Sequence, residues 1–134
     1  FQTVLFLGVL AWAVGLTLRR VTDVPQAVTS CAVVLCAFVA LGRVLSPQYL
    51  VWLLPVVPLV GGASGTVATA VLLVALVLTR IWYPDFYFEV IGTLDPSGIA
   101  VLVARNALLL LLLAILVVAL RRAGHHPAIG SAQL

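Results

Sequence analysis

The sequence predicts an all-α fold, a polytopic bundle of about five transmembrane helices. Hydrophobic residues make up 64% of the 134 residues, whereas charged residues make up 8%. Soluble domains carry about 25% charged residues, so this chain has too few polar side chains to cover a water-soluble fold. The few charges also stand at the ends of long apolar runs, which is typical of membrane helices. We therefore expect the lipid bilayer to be the main solvent of the chain.

Three of the predicted spans follow directly from uncharged runs. Residues 1–18 precede an arginine pair and would extend about 27 Å as a helix, close to the roughly 30 Å of a bilayer core. Residues 24–42 carry no charge and have Pro25 near their start, where proline favours a helix. Residues 98–120 form the last span, and residues 123–134 follow it as a tail.

The uncharged stretch between residues 44 and 79 is too long for one crossing and predicts two spans. A glycine cluster at 61–65 favours a turn in its middle, which leaves spans at 47–60 and 66–81. The first of these two is short and contains two internal prolines. Because proline lacks an amide donor, we expect this span to be kinked or to enter the bilayer obliquely.

Charge placement predicts how the bundle 1–122 is oriented. An odd number of spans puts the chain ends on opposite sides, and the arginine pairs at 19–20 and 121–122 then share one side. The positive-inside rule assigns that side to the cytoplasm. We therefore expect the cytoplasmic membrane as the location, with the N-terminal end, the turn 43–46 and the connection 82–97 outside and the tail inside. Because the chain has no methionine and begins inside an apolar run, we expect a fragment of a longer protein.

The start of the third span carries the residues best suited to bind a ligand. Ser46 is a good helix cap and Pro47 suits the first helical position. The helix start offers free amides and a partial positive charge, and Arg43 just before it has a fork suited to phosphate oxygens. Four residues apart in a helix, Gln48 and Trp52 are expected on one face, where an amide could bond sugar hydroxyls beside an indole that stacks on a sugar.

A purely structural interpretation of these residues remains open. Arg43 could extend to lipid headgroups, Tyr49 and Trp52 could belong to an interfacial aromatic belt, and Gln48 could join two helices.

One segment resembles a known family. It reads Leu45-Ser46-Pro47-Gln48-Tyr49-Leu50-Val51-Trp52-Leu53-Leu54-Pro55. This string is similar to the Ser-Pro-Gln-Tyr-x-x-Trp-x-x-Pro segment near the C-terminus of bacterial membrane glycosyltransferases of the GT-C type, and most of all to polyprenyl-phosphate-mannose-dependent alpha-mannosyltransferase-like proteins. The likeness extends over residues 43–122, but only the first motif is specific.

The resemblance implies an enzyme that transfers a hexose, with mannose the first candidate, from a polyprenyl-phosphate donor to an extracytoplasmic glycan or glycolipid acceptor. In that family the catalytic aspartate lies in the first extracytoplasmic loop, far upstream of this motif. The chain would then be the C-terminal part of the enzyme, inactive alone and with its catalytic base unknown. By resemblance Gln48, Tyr49 and Trp52 contact the donor, and chemistry adds Arg43 and the Ser46 cap.

Other polar residues are weaker candidates. Arg105 lies seven residues inside the last span, about 10 Å along the helix, where an arginine is costly unless it reaches the interface or finds a partner. It is a candidate for a second phosphate contact, and the neighbouring Asn106 could bond between helices. Three carboxylates of the outer connection could serve as acid or base, or could only keep that connection in water: Asp85, Glu89 and Asp95.

Several function classes are disfavoured or remain as alternatives. The net charge of +3 is not clustered on one face, so we expect no nucleic-acid partner. No metal site or cofactor is expected, because His125 and His126 stand alone in the tail; a divalent metal in the complete enzyme would need residues outside this chain. The alternative functions are a piece of a transporter, with the prolines and glycines forming a broken helix at a substrate site, and a structural membrane subunit.

Overall fold

The computed structural model describes residues 2–20, 23–42, 47–83 and 96–123, and the regular structure within these ranges is entirely helical. The predicted all-α fold is confirmed. Within these ranges the α-helices are α1 (Gln2–Arg20), α2 (Val24–Leu41), α3 (Gly62–Trp82) and α4 (Pro96–Ala123). Two 3-10 helices, Pro47–Leu53 and Val57–Val60, occupy the position of the predicted third span.

Among the described residues, three helical segments are long and apolar enough to cross a membrane. They are Val24–Leu41, Gly62–Ile81 and Pro96–Ala123. Two shorter apolar segments, Phe6–Gly15 and Gln48–Val60, accompany them. At 1.5 Å per residue α4 is about 42 Å long, which exceeds the hydrocarbon core of a bilayer. The chain is therefore a helix bundle whose length and composition are compatible with a membrane protein.

Helices α2 and α4 run antiparallel. Near the start of α2, Gln26 Nε2 donates a hydrogen bond to the carbonyl oxygen of Ala123, the last residue of α4, at 3.3 Å. Farther along α2, the Cys36 thiol lies 3.7 Å from the carbonyl oxygen of Leu109. Since residue numbers rise along α2 while they fall along α4, the start of one helix lies beside the end of the other.

Helix α1 packs on α2 in the opposite direction. The ring of Phe6, early in α1, lies 5.8 Å from the ring of Phe38, near the end of α2. The C-terminal end of α1 is therefore on the same side as the start of α2 and the end of α4. The two arginine pairs, at 19–20 and 121–122, consequently belong to helix ends that lie at one end of the bundle.

The core lies between α2, α3 and α4, and the 3-10 segments pack against α2 and α3. Buried residues of α3 recur at intervals of three and four, which is the spacing of helices packed at a shallow angle. Most of them are small, so that the backbones can approach closely. They are Gly65, Ala68, Leu72, Ala75 and Thr79. The buried leucines of α4 that form the opposite side of the core are Leu109, Leu112, Leu116 and Leu120.

The third predicted span is not an α-helix. In this segment the amide of Leu54 donates a hydrogen bond to the carbonyl oxygen of Val51 at 3.2 Å. The two residues are three positions apart, whereas an α-helix joins residues four positions apart. Pro55 and Pro58 lack the amides that an α-helix would need at these positions, so the chain follows a tighter 3-10 path with a turn at 54–56. The expectation of a short span disturbed by proline is met, whereas the assumed α-helical spacing is wrong.

The glycine cluster combines a turn with a helix start. Gly61 and Gly62 have φ values of 70° and 62°, which side chains other than glycine rarely adopt. The amide of Gly65 already bonds to the carbonyl oxygen of Gly61 at 3.0 Å. Helix α3 therefore begins at Gly62, four residues before the predicted span 66–81, because two glycines are sufficient to reverse the chain.

Candidate functional site

The motif-bearing 3-10 helix places Tyr49 and Trp52 side by side. Residues three apart share a face in such a helix, and the two ring centroids lie 5.1 Å apart. Trp52 is 49% exposed, and Tyr49 is half-buried beside it. Leu50 and Leu53 point into the core. An aromatic surface is thus available to a ligand while the opposite side of the helix holds the segment in the bundle.

Gln48 is exposed but does not share a face with Trp52. Four residues in a 3-10 helix correspond to a rotation of about 120° beyond a full turn. The expectation that both side chains lie on one face is wrong, because it assumed α-helical spacing. Gln48 instead shares its face with Val51. A ligand that contacts both Gln48 and Trp52 must therefore reach around the helix.

Two phenylalanines extend the aromatic pair across three elements. The ring of Tyr49 meets the ring of Phe38 edge-on at 6.3 Å, and Phe38 meets Phe6 edge-on at 5.8 Å. Such arrangements are favourable beyond the area they bury. The sequence did not single out either phenylalanine, since both stand in uniformly apolar runs without a neighbouring polar residue.

Several predicted site residues lie outside the described residues. These are Arg43, Ser46, Asp85, Glu89 and Asp95. Their proposed roles stay predictions. The helix that follows Ser46 is, however, a 3-10 helix of seven residues, and so short an element sums few peptide dipoles. The argument that a helix terminus attracts the anion is therefore weakened, and any phosphate contact there depends on Arg43.

Arg105 is enclosed by protein, with 3% of its surface exposed. It lies about 13 Å along α4 from Pro96. Its Nε and Nη2 atoms donate to Asn106 Oδ1 at 3.3 and 3.2 Å. A charge at this depth costs about 2.5–3.5 kcal/mol on insertion scales. Burial argues against the side chain reaching the interface, and Asn106 bonds to its neighbour on the same helix rather than across helices in the contacts described.

No described hydrogen bond or ring contact joins Arg105 to Gln48, Tyr49 or Trp52. Arg105 and the motif both lie toward the same half of the bundle, since Tyr49 contacts the end of α2 and α4 runs antiparallel to α2. The structure therefore describes two separate polar features, an exposed aromatic surface and a buried cation.

A groove of about 390 Å³ lies where the second 3-10 helix meets α3. Its lining includes Pro58, glycines of the turn, and Leu73. The hydroxyl groups of Thr66 and Thr69 on this surface donate to backbone carbonyl oxygens of the preceding turn, at 3.2 and 2.8 Å. Because both hydroxyls already donate hydrogen bonds within the helix, the groove presents a mostly apolar surface.

Within the described ranges, no group of three histidine, cysteine or acidic residues could hold a metal ion. Cys31 is exposed and Cys36 is buried, and neither forms a disulfide.

No protein-family model, curated protein or solved structure matches the chain. The fold and the composition define the class of the protein: it is an all-α helix bundle, and three helical segments of its described part are long and apolar enough to cross a membrane. The resemblance to GT-C glycosyltransferases stays a prediction.

Proposed function

We propose that the chain is the C-terminal part of an integral membrane hexosyltransferase of the GT-C type. The enzyme would transfer a hexose, with mannose the first candidate, from a polyprenyl-phosphate donor to an extracytoplasmic glycan or glycolipid. The observation that carries this proposal is the motif at 45–55 together with the exposure of Trp52 at 49%. An indole exposed to this extent is accessible from outside the bundle, as a donor contact requires.

The chemistry of the exposed residues suits a sugar phosphate. The apolar face of a hexose packs on an indole, and an amide can both donate to and accept from its hydroxyl groups. Gln48 and Trp52 are about 8 Å apart along the axis of a 3-10 helix. A ligand touching both is therefore an extended group such as a hexosyl phosphate rather than a single hydroxyl.

The proposed location is the cytoplasmic membrane, with the arginine-bearing end of the bundle inside. Positive charge is retained on the cytoplasmic side, and both arginine pairs belong to that end. Tyr49 lies toward the opposite end, beside Phe38. The aromatic surface formed by Tyr49 and Trp52 would then face the extracytoplasmic side, where lipid-linked sugars are transferred to acceptors outside the cell.

Tryptophan fluorescence tests whether the donor binds at Trp52. Replacing Trp12 and Trp82 by phenylalanine leaves Trp52 as the single tryptophan. Titration with a short-chain polyprenyl-phosphate-mannose in detergent should change its emission saturably, whereas mannose alone should not. Gln48→Leu removes a hydrogen bond worth about 0.5–1.5 kcal/mol and should weaken binding about two- to tenfold.

The matched control is Thr66→Val, which removes an exposed polar group from α3, away from the motif. It should leave donor binding unchanged. A donor titration without a saturable response of Trp52, or equal effects of Gln48→Leu and Thr66→Val, would contradict the proposal.

The groove between the second 3-10 helix and α3 favours a second candidate function, part of a transporter. Interrupted helices form substrate sites in many transporters, and this groove lies at such an interruption. A cysteine at Ala70 distinguishes the two functions. A transported solute should protect it from a thiol reagent, whereas polyprenyl-phosphate-mannose bound at Trp52 should not.

A further inference from the structure

The guanidinium of Arg105 uses one edge for Asn106 and has no described hydrogen-bond partner at its other edge. Nε–H and one N–H of Nη2 both point to Asn106 Oδ1. The second edge consists of an N–H of Nη1 and the other N–H of Nη2. These two donors are parallel, which is the fork that binds two oxygen atoms of a carboxylate or phosphate at once.

The described residues do not supply the missing negative charge. Asp23 is the one carboxylate residue among them, and it directly precedes α2. The contact between Gln26 and Ala123 puts that region beside the end of α4. Arg105 stands eighteen residues before Ala123, about 27 Å away along a helix. Asp23 therefore cannot pair with Arg105.

Burial makes an unpaired guanidinium at this place unfavourable. With 3% of its surface exposed, Arg105 has little access to water, and α4 continues on the same side with the buried Leu109 and Leu112. A buried charge is normally neutralised by an opposite charge and by hydrogen bonds. Beyond the start of a helix long enough to cross a membrane, the abundant anions are lipid phosphates.

The geometry points to an oxyanion site in which the Nη1 and Nη2 edge of Arg105 binds a phosphate group. The phosphate belongs to a lipid phosphate or to a free anion, and Asn106 acts as the positioning residue that fixes the orientation of the guanidinium. This inference deepens the proposed function and rests on it for the identity of the lipid. Binding of a phosphate that carries no sugar is tested without any transfer reaction.

The experiment measures thermal unfolding of the purified chain in an uncharged detergent. Dodecyl phosphate represents a lipid phosphate, inorganic phosphate represents a free anion, and dodecyl maltoside is the uncharged reference. Dodecyl phosphate should raise the unfolding temperature of the wild type saturably. Arg105→Gln should weaken the apparent affinity about ten- to hundredfold, as expected for loss of a charge-assisted pair.

Arg122→Gln is the matched control, because Arg122 carries the same charge on the same helix but is exposed. It should retain the wild-type affinity. Asn106→Asp places a carboxylate at the edge that Asn106 occupies and supplies an internal counter-charge, so it should weaken phosphate binding while raising the unfolding temperature without ligand. If Arg105→Gln does not fold, Arg105→Lys replaces it and should bind with intermediate affinity, since a point charge lacks the fork.

Binding of either phosphate supports the proposed site, and comparing the two ligands identifies the source of the phosphate. A response to dodecyl phosphate alone identifies a lipid phosphate, whereas an equal response to inorganic phosphate identifies a soluble anion. Equal binding by wild type and Arg105→Gln overturns the proposal. It is also overturned if the wild type binds neither phosphate until Asp85, Glu89 or Asp95 is replaced by its amide, because a carboxylate of the chain then holds the edge. Failure of the Trp52 titration alone would reject the sugar donor and leave this site intact.

Discussion

Gly65 lies where α3 meets the second 3-10 helix, and substitutions there test the packing that holds the motif-bearing segment. Gly65 is buried. A Cβ atom at this position would lie 3.2 Å from the carbonyl carbon of Val60 and 3.5 Å from its Cβ. Because carbon atoms are best separated by about 3.5–4.0 Å, the backbone at Val60 must move to admit even one methyl group.

Two opposing effects set the size of the change. Alanine in place of glycine stabilises a helix by about 0.5–1 kcal/mol, while overpacking costs about 1–3 kcal/mol. Gly65→Ala has one tight contact and should destabilise by no more than about 1 kcal/mol after this offset. Gly65→Val adds two further methyl groups to the same space and should lose about 1–3 kcal/mol of unfolding free energy.

Gly15 provides the control, since a Cβ atom there would meet nothing within 4 Å. Gly15→Ala should stabilise the chain by about 0.5–1 kcal/mol. Unfolding of the purified variants in mixed micelles of increasing dodecyl sulfate fraction, followed by circular dichroism, measures both effects. Gly15→Val adds the same three carbon atoms as Gly65→Val, but at a position where a Cβ atom meets nothing within 4 Å. If the two valine variants unfold at the same fraction, α3 does not pack on Val60 as described and the reasoning is refuted.

Three further predictions concern the orientation in the membrane, the ring contacts of Phe38 and the activity. In a chain with Cys31 replaced by serine and the buried Cys36 retained, one added cysteine at Ala123 and one at Leu45, in separate variants, should react with an impermeant reagent from opposite sides of the membrane. Labelling from the same side would contradict the topology. Phe38→Leu removes two edge-on ring contacts, worth about 1–3 kcal/mol beyond lost area, and should destabilise more than Phe6→Leu, which removes one of them, in the same micelle titration. The purified chain should not transfer mannose from polyprenyl-phosphate-mannose, and turnover would make the acidic residues of the outer connection the leading candidates for the base.

The all-α fold was predictable because composition excludes a soluble fold and the apolar runs have the length of membrane helices. The path of residues 47–60 was not predictable from the sequence. Pro55 and Pro58 indicate that an α-helix is disturbed, but the chain can respond with a kink, a turn or a change of helix type. The choice depends on burying Leu50, Leu53 and Val57 against α2 and α3, and sequence alone does not give that packing.

The same difficulty applies to the polar residues. The position of Arg105 along its helix follows from the sequence, but α4 is apolar on all sides, so no periodic pattern indicates which face turns toward protein. Its burial becomes visible only with the neighbouring helices in place. The error at Gln48 and Trp52 has a simpler origin, since a change from 3.6 to 3.0 residues per turn separates side chains that an α-helix would bring together.

The hydrogen bond between Gln26 and Ala123 joins residues 97 positions apart, and this separation determines the order in which the bundle is completed during synthesis. Helix α2 ends at Leu41, 82 residues before α4 ends at Ala123. At about 5–20 residues per second, the ribosome needs about 4–16 s to make the intervening chain. Throughout this interval α2 lacks the carbonyl oxygen that Gln26 uses in the finished bundle. Thr29 is less affected, because its hydroxyl bonds to Pro25 within its own helix at 2.9 Å. The contact between the start of α2 and the end of α4 therefore forms only after the intervening chain has been made.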